Sequence, residues 1–229
     1  MKITLFTLLV SISTFFSNHS FAQRIAAGGR HSLAICVDST VEAWGYNGYG
    51  KIGNGNQAEQ QSGTQVIGLI GVIHVAGGLF HSIFVKNDST VWYCGRNTLG
   101  PLGDGTNADT STPVQVSEIV DIFQAEAGGI HSVFLRNDGS VWSCGLNSGD
   151  NNNGQLGYGT SVDKLSPVQV ISTWGDRSMV RAEETRAYSL FQVADRLLSA
   201  AGRNNYGQLG YGEFTTFNSG AFHFFANIA

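Results

Sequence analysis

Three histidines, His31, His81 and His131, recur at intervals of fifty residues. Three imidazoles can hold a zinc ion and leave its fourth position open, so a metal centre is the first chemistry this spacing raises. Each histidine is followed by a serine (Ser32, Ser82, Ser132) and, seven residues on, by an aspartate (Asp38, Asp88, Asp138). That set raises hydrolysis by a Ser-His-Asp arrangement. Adjacent residues of a strand point to opposite faces, however, so His and Ser cannot pair within one unit. Tyr188 takes the histidine's place in a fourth unit, which suits a polar structural ring better than a metal site. The histidines are therefore read as one structural contact per unit, bonded to backbone between strands. Asp150-Asn151-Asn152-Asn153-Gly154 has the composition of a calcium loop, but its twelfth position is Ser161 where a bidentate Glu is needed. It reads as a solvated insertion. The Gly-rich segments, such as Gly154–Gly159, lack the strand–loop–helix setting of a phosphate cradle and read as tight turns. No catalytic residue, metal ligand or cofactor is assigned.

The three cysteines, Cys36, Cys94 and Cys144, are an odd number, so at least one thiol stays unpaired. Cys94 and Cys144 occupy the place of Trp44, which points to a buried packing slot. A Cys94–Cys144 bridge is the lesser alternative, because equivalent positions in neighbouring repeats lie too far apart.

These residues are positioned by a repeat. Residues 26–55, 75–105, 126–159 and 182–212 share one spelling, and Gly45, Gly95, Gly145 and Gly202 mark its common point. The pairs Gly28-Gly29, Gly77-Gly78 and Gly128-Gly129 precede the histidines, and Glu183, Glu184 and Thr185 replace them in the fourth unit. A period of this length means one supersecondary unit copied side by side, whose neighbours complete its core. Each His-Ser opens a short apolar run, a turn such as Asn137-Asp138-Gly139 follows, and a second run reaches the marker glycine. Such runs read as strands joined by a hairpin. Thr112–Val116 and Ser166–Val170 read as a third strand, and the segments Val72–Val75 and Ile122–Gln124 supply a fourth. Four short strands per unit make the blade of a β-propeller, so the fold class is all-β. The blades span about residues 25–70, 71–120, 121–175 and 179–212, within a repeat region 23–212.

The pattern Gly-x-x-His-Ser, then Asp-Gly/Ser-x-Val-Trp, then Gly-x-Asn-x-x-Gly-Gln-Leu-Gly-x-Gly resembles the repeat of the regulator of chromosome condensation over about residues 25–212. The resemblance implies a propeller, commonly of about seven blades in a full ring. It also implies relatives that include a nuclear guanine-nucleotide exchange factor and secreted bacterial protein inhibitors of enzymes. This chain departs from the pattern: it has four units, the fourth degraded. No Pro-Val-Gln-Val strand follows Gly212, and the Phe-rich residues 213–229 fit no unit. An incomplete or open propeller is expected, either a fragment of a longer ancestor or an arc completed by another chain. Its open blade edges favour self-association.

Residues 1–22 read as a secretory signal: Lys2, an apolar run over Ile3–Phe16, and Ser20-Phe21-Ala22 before the cut. Secretion, or a periplasmic or cell-surface location, follows, with no membrane span in the mature chain. Removing that segment takes the net charge from −4 to −5. No Lys/Arg cluster exists, which argues against nucleic-acid binding. Tyr46, Tyr49, Tyr158, Tyr206 and Tyr211 lie in the Gly-rich loops beside Asn47, Asn97, Asn147 and Asn204. Tyr, Asn and Gly together suit adaptable protein recognition, while packing between blades is the other reading. The expectation is an exported, non-enzymatic repeat protein that binds an unknown protein partner. Exchange-factor activity is the alternative the resemblance implies; an extracellular hydrolase or enzyme inhibitor is the weaker one.

Overall fold

The computed structural model describes residues 24–148, 154–171, 179–182, 188–193, 197–210 and 223–225. All regular structure among them is β, in four antiparallel sheets of four strands. The first sheet is β1 (Ile25–Ala27), β2 (His31–Ile35), β3 (Val41–Gly45) and β4 (Gln60–Gln65). The second is β5 (Val72–Gly77), β6 (His81–Lys86), β7 (Val91–Gly95) and β8 (Thr110–Gln115). The third is β9 (Ile122–Ala127), β10 (His131–Arg136), β11 (Val141–Gly145) and β12 (Lys164–Ile171). The fourth is β13 (Met179–Ala182), β14 (Tyr188–Val193), β15 (Leu197–Gly202) and β16 (His223–Phe225). Within each sheet the strands pair in chain order, as in the blade of an open β-propeller. The strands entering each Ala-Gly-Gly thus open the following sheet; they do not close the preceding one.

One expectation is corrected in the fourth blade. Part of the Phe-rich tail, read as fitting no unit, supplies its outer strand: Phe224 pairs with Ser199 and Phe225 with Leu198. The strand lacks the Pro-Val-Gln-Val spelling because an outer strand needs backbone pairing on one side only, which many sequences satisfy.

The hairpins form where Asp meets a small residue. Asp88 accepts from the backbone N of Thr90 at 3.1 Å and from its hydroxyl at 2.6 Å, and Asp38 and Asp138 repeat the pattern. Each side chain thereby mimics a backbone turn. Ser39, Ser89 and Gly139 follow with φ of 63°, 61° and 81°.

The core lies between blades. Leu33, Val41, Ala43 and Ile52 of the first blade pack with Val75, Phe84 and Cys94 of the second. Ile83, Val85 and Val91 on the second blade's other face pack with Ala125, Phe134 and Cys144 of the third. Val133, Leu135 and Val141 meet Phe191 and Ala201 of the fourth. The two-residue period of β6 explains this: Phe84 points to the preceding blade, while Ile83 and Val85 point to the next. The first strands, β1, β5, β9 and β13, adjoin one another in sequence.

Candidate functional site

The repeated histidines do pair with serines, but across blades. His31 Nε2 lies 2.7 Å from Ser82 Oγ, His81 Nε2 3.0 Å from Ser132 Oγ, and His131 Nε2 2.9 Å from Ser189 Oγ. Each serine then donates its proton back to the preceding blade. Ser82 gives it to the Lys51 carbonyl at 2.6 Å, Ser132 to Pro101 at 2.5 Å, and Ser189 to Gln155 at 2.9 Å. A hydroxyl has one proton, so each His must carry its own on Nε2 and donate it to the serine. The expected backbone partner is thus corrected: the histidine reaches backbone only through the next blade's serine. His and Ser of one unit cannot meet, but a His and the Ser one period on face each other across the gap between blades.

This Ser–His pairing is not a catalytic one. The pairs are buried, and the Nδ1 atoms of His31 and His81 have no partner among the described residues. A base needs an orienting acceptor there. Burial, with the charge of Lys51 adding to it, holds His31 at about 3. Burial, then the neighbouring His131, His31 and Lys51, holds His81 at about 3; burial holds His131 at about 4. A neutral imidazole this hard to protonate cannot take the serine's proton near neutral pH. Nor do the three converge: each belongs to a different blade junction. Among the described residues no group of three or more His, Cys, Asp or Glu could hold a metal ion.

The glycines make room for these junctions. A Cβ on Gly28 or Gly128 would overlap the ring of His31 or His131, and one on Gly78 would sit 2.5 Å from the Gly128 carbonyl and 2.8 Å from His81 Nδ1. On Gly77 it would sit 2.8 Å from the Gly28 nitrogen, and on Gly29 it would overlap Leu79. Gly129 lies in the matching turn before β10. Gly45, Gly95, Gly145 and Gly202 end their strands at φ of 109°, 117°, 110° and 117°, a region that disfavours any side chain.

The asparagines of the Gly-rich loops are buried, not offered to a partner. Asn97 Oδ1 accepts from Leu102 N at 3.1 Å while its Nδ2 donates to the Thr106 carbonyl at 3.0 Å. Asn47, Asn147 and Asn204 bind their own loops through the same Oδ1 contact. Asp163, beside the insertion, accepts from the backbone N of Asn147 at 2.7 Å and of Ser148 at 2.8 Å. Residues 150–153 and Tyr211 lie outside the described residues, as do the proposed signal and most of residues 213–229.

Cys94 and Cys144 are buried and unbridged, and burial pushes both thiols up. Cys94 Sγ faces the Lys51 carbonyl at 3.2 Å and Cys144 Sγ the Pro101 carbonyl at 3.5 Å. Their slot is the junction with the preceding blade. Trp44 holds the same slot on the first blade and is half-buried.

The candidate tyrosines divide. Tyr49 meets the Phe80 ring edge-on, with centroids 5.6 Å apart, so it packs across the first blade junction. Tyr46 lies beneath two cations, Arg30 at 5.9 Å and Lys51 at 5.0 Å. Lys51 is itself buried and donates to the Leu79 carbonyl at 3.0 Å. Tyr158 donates to the Val162 carbonyl, with Lys164 over its ring at 5.1 Å. Tyr206 is exposed. Composition did not single out Arg30, Phe80 or Arg96; their signal is position, directly before the histidine or directly after the marker glycine.

Comparison with known proteins agrees with this architecture. The sequence profile of the regulator of chromosome condensation (RCC1) repeat matches residues 40–85, 88–135 and 138–182. Human WBSCR16 superposes with a TM-score of 0.73 at 20% identity, over 87% of this chain and 52% of that one. Prp20p from Saccharomyces cerevisiae superposes at 0.62 with 17% identity, over 89% and 65%. Yeast RCC1 (Prp20) in its complex with Kap60 superposes at 0.57 with 18% identity, over 78% and 55%. This chain therefore spans less than two thirds of the length of each, and identities this low speak to the fold alone.

Proposed function

Because this chain belongs to the regulator of chromosome condensation (RCC1) repeat family, we propose that it is a non-enzymatic binding module whose blade-end loops engage a protein partner. The observation that carries this reading is how the reactive residues are spent. The repeated His are buried in blade junctions with Ser82, Ser132 and Ser189, and the repeated Asn are buried inside their loops. What is left on the described surface is turn backbone, part-exposed aromatic rings, exposed aliphatic side chains such as Ile70 and Val120, and charges, the material of recognition. Yeast RCC1 (Prp20) binds Kap60, and Prp20p has binding properties toward Gsp1p and histones; a protein partner is in keeping with those relatives. Nucleic acid is not proposed, because the chain is acidic overall, with 13 basic and 17 acidic residues. Export is part of the proposal and rests on residues 1–22. Among the described residues no helix is long and apolar enough to cross a membrane.

The test is expression of the full chain, with mass spectrometry of the N-terminus and cross-linked capture from the surrounding medium. A product starting at Gln23 that recovers one protein in stoichiometric amount is expected. An unprocessed, internal protein that accelerates nucleotide release from a small GTPase would overturn the reading.

A further inference from the structure

The backbone places three residue pairs at one end of the arc. Tyr46 N donates to the Arg30 carbonyl at 2.7 Å, Arg96 N to Phe80 at 3.0 Å, and Leu146 N to Ile130 at 2.7 Å. These are the same two positions in three successive blades. One lies in the turn before the histidine, the other just after the marker glycine. The opposite end carries the Asp hairpins. There Lys86 is matched by Asp88 and Arg136 by Asp138, both at 3.1 Å.

The arginines at the first end have no such match. Arg30 lies over the Tyr46 ring, and Arg96 lies 5.1 Å from both the Tyr49 and the Phe80 centroids. Among the described residues neither guanidinium forms an ion pair or a hydrogen bond. Arg30 is exposed and Arg96 half-buried. These cation–π contacts hold each guanidinium against an aromatic ring and use none of its N–H groups as hydrogen-bond donors. Those donors fit a carboxylate in a bidentate manner, with little rotamer freedom left to lose. Lys51, buried and 5.0 Å from the Tyr46 ring centroid, adds positive charge beside them. In the third blade the same two positions hold Ile130 and Leu146, both half-buried. The shelf is thus cationic and aromatic over two blades and aliphatic on the third.

Resting on the reading of the protein as a binder, we propose that this end of the arc docks a carboxylate-rich segment of a protein partner that also carries apolar side chains. Arg30, Arg96 and, at the matching position of the fourth blade, Arg203 are too few on an acidic chain to track a nucleic-acid backbone, which needs a basic stripe. Carboxylates beside apolar residues match both halves of the shelf.

The test is fluorescence anisotropy of the full chain with a fluorescein-labelled peptide of alternating Glu and Leu. The same peptide with Gln for Glu, and a labelled single-stranded oligonucleotide, serve as comparisons. The Glu peptide should bind and weaken with salt, and the Gln peptide should bind at least about ten-fold more weakly. Arg30→Glu and Arg96→Glu should each weaken the Glu peptide about ten-fold or more, and Arg136→Ala should leave it unchanged. Arg30→Lys and Arg96→Lys, which keep the charge, should weaken it by a smaller factor because the planar fork is lost. Urea midpoints equal to that of the unmutated chain show that each variant is folded. No binding of the Glu peptide overturns the proposal, and so does preferred binding of the oligonucleotide. Equal binding by folded arginine variants overturns the shelf yet leaves the binder reading standing, since the peptide then sits elsewhere.

Discussion

Lowering the pH should unfold this protein through its blade junctions. His31 and His81 are held at about 3 and His131 at about 4, against 6.5 for an exposed imidazole. A histidine depressed on folding stabilises the native state fully above its unfolded pKa. That contribution fades as the pH falls from 6.5 toward 3 or 4, because the unfolded chain takes up a proton that the folded chain refuses. Each such histidine should therefore cost about 1.4 kcal/mol per pH unit in that window. Three together cost about 4 kcal/mol per unit, so a drop of about two units removes roughly 8 kcal/mol. That is comparable to the whole stability of an ordinary domain, about 5–15 kcal/mol. The assay is urea unfolding followed by tryptophan fluorescence, repeated from about pH 7.5 down to about pH 4.5. His81→Gln removes one titrating group while keeping an N–H donor. It should be less stable than the unmutated chain at neutral pH, yet its stability should fall with a slope about one third shallower. A stability that is flat across this window, or an unchanged slope in His81→Gln, would refute the reasoning. A further loss is expected below the window, where Asp38, Asp88 and Asp138 lose carboxylates stabilised first by their bonds to Thr40, Thr90 and Ser140.

Ser132→Ala should cost about 2–4 kcal/mol by urea unfolding, because it strands the His81 N–H and leaves the buried Pro101 carbonyl with only the weak Cys144 thiol donor. Ser32→Ala, at the half-buried matching position of the first blade, should stay within about 0.5 kcal/mol, and equal losses at the two sites would count against the inter-blade relay. Gly128→Ala would put a methyl group into the His131 ring; loss of soluble, β-rich protein by circular dichroism is expected, and native yield would contradict the packing. Cys94 and Cys144 are buried while Cys36 is only partly so. A disulfide-exchange reagent should therefore label one thiol quickly in the native protein and all three after denaturation, and rapid labelling of three would show open junctions.

The sequence alone carried everything that depends on short range. Asp followed by Ser or Gly between apolar runs makes a hairpin wherever it stands, so the turns at Asp38, Asp88 and Asp138 were legible. The marker glycines were legible because a positive φ is a property of one residue. The fifty-residue register then delivered the blade, since copies of one hairpin unit can bury their faces only against each other. Tertiary structure decided whatever joins one copy to the next. His81 and Ser82 are neighbours in the chain, yet strand geometry sends them to opposite faces; each finds its partner a full period away, His81 in Ser132 and Ser82 in His31. Arg96 stacks on Tyr49 for the same reason, across a junction that sequence spacing does not display. The buried asparagines read as recognition groups because composition cannot tell a loop's inner side from its outer one. The outer strand of the fourth blade had no spelling to find, because edge pairing asks for backbone hydrogen bonds and little from the side chains.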